Sequence, residues 1–153
     1  MLLYKKGKFH IGGAAFALPD DVYLLWDQSA YDEEPCLELQ STDRACRIVI
    51  TGEASRLSGW QYFQSPEFDV YKKKSKITEI CRNGVKGYCM LYESRMEKYA
   101  EYRFEIPSQQ PSAQLDTLSV LIFTPAENDL ASLLERPVVI TLLDSVECAV
   151  QIK

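Results

Sequence analysis

His10 is the only histidine in the chain. A Ser-His-Asp or Cys-His relay therefore has a single base to draw on, and it sits in a polar N-terminal segment where a solvated side chain is expected. The same scarcity removes the common zinc sites, which need histidine, cysteine or both at short spacings. The five cysteines, at positions 36, 46, 81, 89 and 148, show no CxxC pairing. Cys81 and Cys89 flank a glycine-marked turn. If that turn is centred near Val85, they oppose each other on paired strands, with β-carbons about 4.5–5.5 Å apart, close to disulfide reach. They read either as two small apolar residues filling a sheet face or as a redox pair. Asp20, Asp21, Asp32, Glu33 and Glu34 offer oxygens to a hard cation, but they lack the alternate spacing and the glycine of a calcium loop. An acidic, soluble loop is the expectation, and no carboxylate pair for acid–base work can be assembled from the sequence.

Binding chemistry is better represented. Lys72-Lys73-Lys74-Ser75-Lys76 is the densest basic run and follows Phe68, Val70 and Tyr71. It suits either an anionic partner with aromatic stacking or a charged edge that discourages strand addition. Four of the nine tyrosines, Tyr88, Tyr92, Tyr99 and Tyr102, fall in one region. Tyr88, Met90 and Tyr92 share a strand face, with Cys89 and Leu91 on the other. Tyrosine gives broad contact at low entropy cost, so the wetter face offers a recognition surface. Tyr88, Tyr92 and Tyr99, with Lys72, Lys73 and Lys74, form the candidate partner-binding set. Gly84 and Gly87 form a GxxG, but no helix and no lysine-serine pair follow it, so a P-loop is disfavoured. Both glycines are expected to supply positive φ where strands reverse.

These residues must be positioned by a sheet. From Ile77 to Ile106, strand-like runs surround the Asn83-Gly84 turn, and Ala100-Glu101-Tyr102-Arg103-Phe104-Glu105-Ile106 alternates between apolar and charged. A period of two predicts one buried and one wet face. Upstream, Ala14–Pro19 and Val22–Trp26 read as strands, and Cys36–Leu39 with Cys46–Thr51 as a hairpin. Leu57, Trp60 and Phe63 have helical spacing within 53–64, although Gly59 weakens the helix and Ser65-Pro66 would end it. Leu118–Phe123 is an apolar strand. Thr124-Pro125-Ala126-Glu127 then predicts a capped helix start, with Leu130, Leu133, Leu134, Val138, Leu142 and Val146 as its stripe. Pro137 interrupts that stripe, so a kink or two abutting helices is expected. The fold class is α+β, an antiparallel sheet flanked by helices. Residues 1–13 read as an N-terminal extension with room for a short strand, and 14–153 as one domain.

Composition bounds the function. A net charge of -5 argues against a nucleic-acid surface as the main role. No apolar run reaches the length of a membrane span, and no apolar segment follows the N-terminal lysines as an export signal requires. An odd cysteine count without paired spacing suits a reducing cytoplasm.

Three features together look like a known family. They are Phe16-Ala17-Leu18-Pro19, the hairpin Ile80-Cys81-Arg82-Asn83-Gly84-Val85-Lys86-Gly87-Tyr88, and the leucine-rich C-terminal helix ending near Leu142-Leu143-Asp144-Ser145-Val146. From about Ala14 to Val146 the chain resembles the PsbP-like α/β sandwich, which includes DcrB-type proteins and a Ran-binding transport factor. The resemblance implies a sheet between helices and work by binding rather than by catalysis, in a bacterial setting. The leading expectation is a non-enzymatic adaptor that binds an unidentified protein, without a cofactor, as a monomer or weak homodimer. One alternative is a small-molecule or lipid carrier whose pocket between sheet and helices is lined by Trp26, Trp60 and Phe63. Another is an enzyme built on carboxylates and tyrosines.

Overall fold

A computed structural model describes residues 2–5, 8–11, 13–27, 35–54, 59–64, 73–93, 95–106 and 115–148. Two antiparallel sheets dominate it. The smaller has the order β1-β2-β3-β11, from Leu2–Lys5, Lys8–Ile11, Ala14–Phe16 and Glu147–Cys148. The larger has seven strands: β4 (Val22–Asp27), β5 (Cys36–Ser41), β6 (Arg47–Glu53), β7 (Lys73–Arg82), β8 (Val85–Glu93), β9 (Glu97–Glu105) and β10 (Thr117–Pro125). Their order is β4-β5-β6-β10-β9-β8-β7, so β4 and β7 are the edges. Three short helices complete it: α1 (Gly59–Phe63), α2 (Leu130–Leu134) and α3 (Pro137–Ser145). The chain is mainly antiparallel β, so the expected helix-flanked sheet is met only in part, with a second sheet sharing the work of the helices.

The alternation in each strand sorts its residues between two cores. Leu37, Leu39, Ile48, Ile50, Leu118, Val120, Ile122, Ala100, Tyr102, Phe104, Val85 and Cys89 point to one face. Ile11, Ala14 and Phe16 of the small sheet and Leu130, Leu133, Val138, Val139, Leu142 and Leu143 of α2 and α3 close over them. On the opposite face Phe63 of α1 packs with Met90, Tyr92 and Tyr99. Residues 1–13 are therefore not an appendage. They supply two strands of the small sheet, and Ile11 is fully buried in the main core.

The C-terminal helices follow the proline reading. Pro137 takes the first position of α3, where its missing N–H costs nothing, and α2 stops just before it. The start of α2 differs from expectation. Thr124 and Pro125 still belong to β10, and the cap is Asp129, whose carboxylate accepts from the Ser132 backbone N–H at 3.2 Å. The Thr124 hydroxyl instead donates to the Ala45 carbonyl and accepts from the Asn128 amide. Strand pairing of 117–125 with β9 takes precedence over a local capping box, because a nine-residue ladder satisfies more backbone groups. Of the helix expected within 53–64, Glu53 belongs to β6 and Gly59–Phe63 is helical, while Leu57 lies outside the described residues.

At the β7–β8 turn, Asn83 (φ 51°) and Gly84 (φ 77°) form a two-residue loop with both central residues left-handed, the type I′ arrangement that Asn-Gly favours. Gly87 has no positive φ. It is a glycine because a β-carbon there would lie 2.2 Å from the Arg103 carbonyl oxygen of β9.

Candidate functional site

The turn geometry settles the cysteine question. With the reversal at Asn83-Gly84 rather than near Val85, Cys81 opposes Lys86 and Cys89 opposes Thr78. The change in register also puts the two on opposite sheet faces. Cys81 is exposed, Cys89 is buried, and both are free, so they do not form a cross-strand pair. Burial pushes the Cys89 thiol up to about 11, the opposite of the shift that activates a thiol.

Tyr92 and Tyr99 fall on one ladder of register partners with Tyr23, whereas Tyr88 opposes Arg103 and Tyr102 opposes Cys89. Tyr23 of β4 opposes Gln40, Gln40 opposes Arg47, Arg47 opposes Phe123, Phe123 opposes Tyr99, and Tyr99 opposes Tyr92. Cross-strand partners share a face, so the six side chains make one row across the sheet. The row is in contact throughout its inner part. The Tyr92 and Tyr99 rings are 4.5 Å apart, Tyr99 and Phe123 5.0 Å, and the Arg47 guanidinium lies 4.7 Å from the Phe123 centroid. At the outer end the Tyr23 hydroxyl donates to Gln40 Oε1 at 2.7 Å. Its inner end is buried, with Tyr92 at 0% and Tyr99 at 5%, and its outer end is exposed, with Tyr23 at 39%. Tyr92 and Tyr99 thus correct the expected recognition surface: α1 covers them, and only Tyr88 of the three is part-exposed, beside Trp60.

Beneath α1 lies a cluster of charges. Arg103 is 2% exposed, with Nη2 at 2.5 Å from Glu53 Oε2, Nη1 at 3.5 Å from Glu101 Oε2, and its guanidinium carbon 3.5 Å from the Tyr62 ring centroid. Of the charged members of the alternating run, Glu101 and Arg103 are thus buried on a second core, while Glu105 at the strand end is exposed. A buried guanidinium needs both opposite charge and a flat partner, and Glu53, Glu101 and Tyr62 provide them. Burial first, and then the Glu101 charge, raises the hydroxyl pKa of Tyr62, Tyr92 and Tyr99 far above the ordinary phenol value. A tyrosine acting as base or nucleophile at neutral pH requires the reverse shift. The cluster's chemistry is that of an ionic core holding α1 on the sheet. Phe63 fills this core rather than lining a pocket, and Trp60 faces solvent at 49% exposure. The side chain of Trp26 lies outside the described residues.

The remaining expected residues scatter. Lys72, Asp32, Glu33 and Glu34 lie outside the described residues, while Lys73 and Lys74 belong to β7, the edge far from β4. His10 sits in β2 opposite Ala15, half-buried, with no acid beside it in the ladder. Asp20 and Asp21 are exposed at the turn before β4. Among the described residues, no group of three His, Cys, Asp or Glu gathers as for a metal ion. No helix among them is long and apolar enough to cross a membrane.

A different feature stands out at the free edge. Tyr23, Leu24 and Leu25 of β4 are 39%, 51% and 46% exposed. The register shifts between Leu24 and Trp26, so Leu25 is the extra residue of a bulge. The sequence shows this run only as an apolar strand. Its position at an edge depends on the long-range order of the sheet, for which no local signal exists. Compared with known protein families, the chain matches none, and no curated protein is similar to it in sequence.

Proposed function

We propose that the protein is a non-enzymatic binding module that engages a protein partner by adding one of the partner's strands to the β4 edge. The observation that carries this is the apolar triplet Tyr23-Leu24-Leu25, exposed on a strand that pairs on one side only among the described residues. Edge strands are usually blunted by charge or covered, because their free N–H and C=O groups template pairing. This one has a bulge but no charge at its centre. The other edge, β7, carries lysines in its opening residues, which marks β4 as the side for controlled addition. Main-chain hydrogen bonds would supply affinity, and Leu24 and Leu25 the apolar anchors. The upward-shifted tyrosines support binding over catalysis. Helices on both faces of the large sheet support kinship with PsbP-like sandwiches as part of the same proposal, and five free thiols support a reducing compartment.

The test is photo-crosslinking from position 23 in cells, comparing the native edge with Leu24→Lys and Leu25→Lys. One dominant adduct that disappears in both variants, at unchanged melting temperature, is expected. An adduct that survives both substitutions would remove the edge from the interaction.

A further inference from the structure

We propose that a cleft beside the β5–β6 turn binds a carboxylate joined to an apolar or aromatic group. The cleft has a volume of about 270 Å³, below the roughly 300–1,000 Å³ of sites for drug-sized ligands, and fits one amino-acid residue or a small acid. Arg44 and Arg47 line it with Phe123, Met96 and Glu97. The elements around it are the β5–β6 turn, the β8–β9 turn and the end of β10, so strand reversals bring together residues far apart in sequence.

The two arginines differ in how they are held, and both have donors to offer. Arg47 lies over Phe123 at 4.7 Å, and its Nη1 is 3.6 Å from Glu38 Oε1, too long for a hydrogen bond. The ring fixes the guanidinium while leaving its N–H groups available, which is preorganisation for a planar anion. Arg44 forms no ion pair among the described residues and occupies a left-handed backbone position, φ 60°. Glycine or asparagine would hold that turn with less strain. An arginine kept there places a free cation at the mouth of the cleft at a cost to the turn, and such outliers concentrate at binding sites.

The charge balance selects the ligand. Two guanidinium groups stand against Glu97, which has contacts of its own, and Glu38, 3.6 Å from Arg47, so the surroundings carry no net positive charge and admit one carboxylate rather than a phosphate dianion. Phe123 provides an apolar floor. Met96, 85% exposed on the opposite lip, supplies a flexible, polarisable cover for an apolar neighbour of the carboxylate. The carboxylate has two sources, a free small acid or the C-terminal residue of a protein chain. The site meets the β4 edge through Gln40, which accepts from the Tyr23 hydroxyl, but neither Leu24 nor Leu25 lines it, so the two proposals are tested by different side chains.

Methyl-labelled methionine provides the readout, because Met96 is exposed and Met90 is fully buried and serves as an internal control. Phenylacetate, phenylacetamide, and the peptide acetyl-Ala-Ala-Phe with a free or an amidated C-terminus are titrated against the full chain. A saturable shift of the Met96 methyl without a shift of Met90 is expected for the free acids. The amides should bind about tenfold more weakly or not at all, since charge-assisted hydrogen bonds are lost. Arg47→Ala and Arg44→Gly should each weaken the acids about tenfold. Arg44→Gly should also melt no lower than the native chain, because glycine relaxes the turn, which separates lost binding from lost folding. A peptide acid binding about tenfold tighter than phenylacetate assigns the site to a chain terminus, and equal or weaker binding assigns it to a small acid. Equal binding of acids and amides, or no saturation by any acid, overturns the proposal.

Discussion

Arg103 is the side chain on which the second core depends. Its guanidinium lies between Glu53, Glu101 and the Tyr62 ring, with Glu101 itself only 5% exposed. Removing one partner of a buried pair strands the other charge, at a cost of about 3–5 kcal/mol, whereas replacing both with apolar groups is often neutral. We therefore expect Arg103→Leu to lose about 3 kcal/mol in urea unfolding, and Arg103→Leu with Glu101→Leu to recover most of it. A single variant within about 1 kcal/mol of the native chain would show that the cluster is not an ionic core. This arrangement was hidden in the sequence for a physical reason. The alternation of Ala100 to Ile106 predicts the strand that β9 (Glu97–Glu105) forms, but alternation does not reveal that both faces of a central strand are covered. Charge at every second position looks like a wet face until Glu53 and Tyr62, many residues upstream, are seen to arrive over it. For the same reason the sequence does not distinguish the buried Tyr92 and Tyr99 from surface residues.

At the scale of elements, the β7–β8 hairpin does more than reverse the chain. Asn83 Nδ2 donates to the carbonyls of Asp144 and of Val146, the latter at 3.0 Å, and Arg82 Nη1 pairs with Asp144 at 2.5 Å. The turn thus satisfies carbonyls that the C-terminus of α3 would leave open, and places a cation where the helix dipole favours one. Ser145 ties the same end to β3, its hydroxyl accepting from the Ala17 N–H at 2.9 Å. Asn83→Gly keeps the left-handed turn and removes only the clasp. It should cost about 1 kcal/mol in chemical denaturation, and hydrogen exchange should rise in α3 before it rises in β7 and β8. Uniform acceleration across all three would mean that the turn, not the helix, was affected. The hairpin itself was legible, because Asn-Gly between apolar runs carries its own mechanism. So were the two C-terminal helices, through Pro137. The helix start was not, because the Thr-Pro-Ala-Glu signal competes with a ladder visible only once β9 is in place.

For the whole molecule, three buried phenols and the half-buried Tyr62 set a common limit. Burial is the main reason that Tyr62, Tyr92, Tyr99 and Tyr102 hold their protons well above the ordinary value of 10.0. The unfolded chain releases those protons near pH 10, while the folded chain keeps them. The stability they contribute is therefore complete below that point and falls as pH rises above it. Thermal melts should hold level up to about pH 10 and decline steeply beyond, with the tyrosinate absorbance of these four appearing together with unfolding rather than ahead of it. Early titration of all the tyrosines in the folded state would contradict the burial. The large sheet also has a seam. Strands β4 to β6 pair in chain order, and so do β7 to β10, but β6 meets β10 by joining Glu53 to Thr117. Each half can zip up locally, whereas their union must first close a long loop. This order of pairing predicts that the halves form first and meet late, and until they meet, the inner strands β6 and β10 each present a bare edge. The interval before docking is the one in which a neighbouring copy can take the place of the missing half.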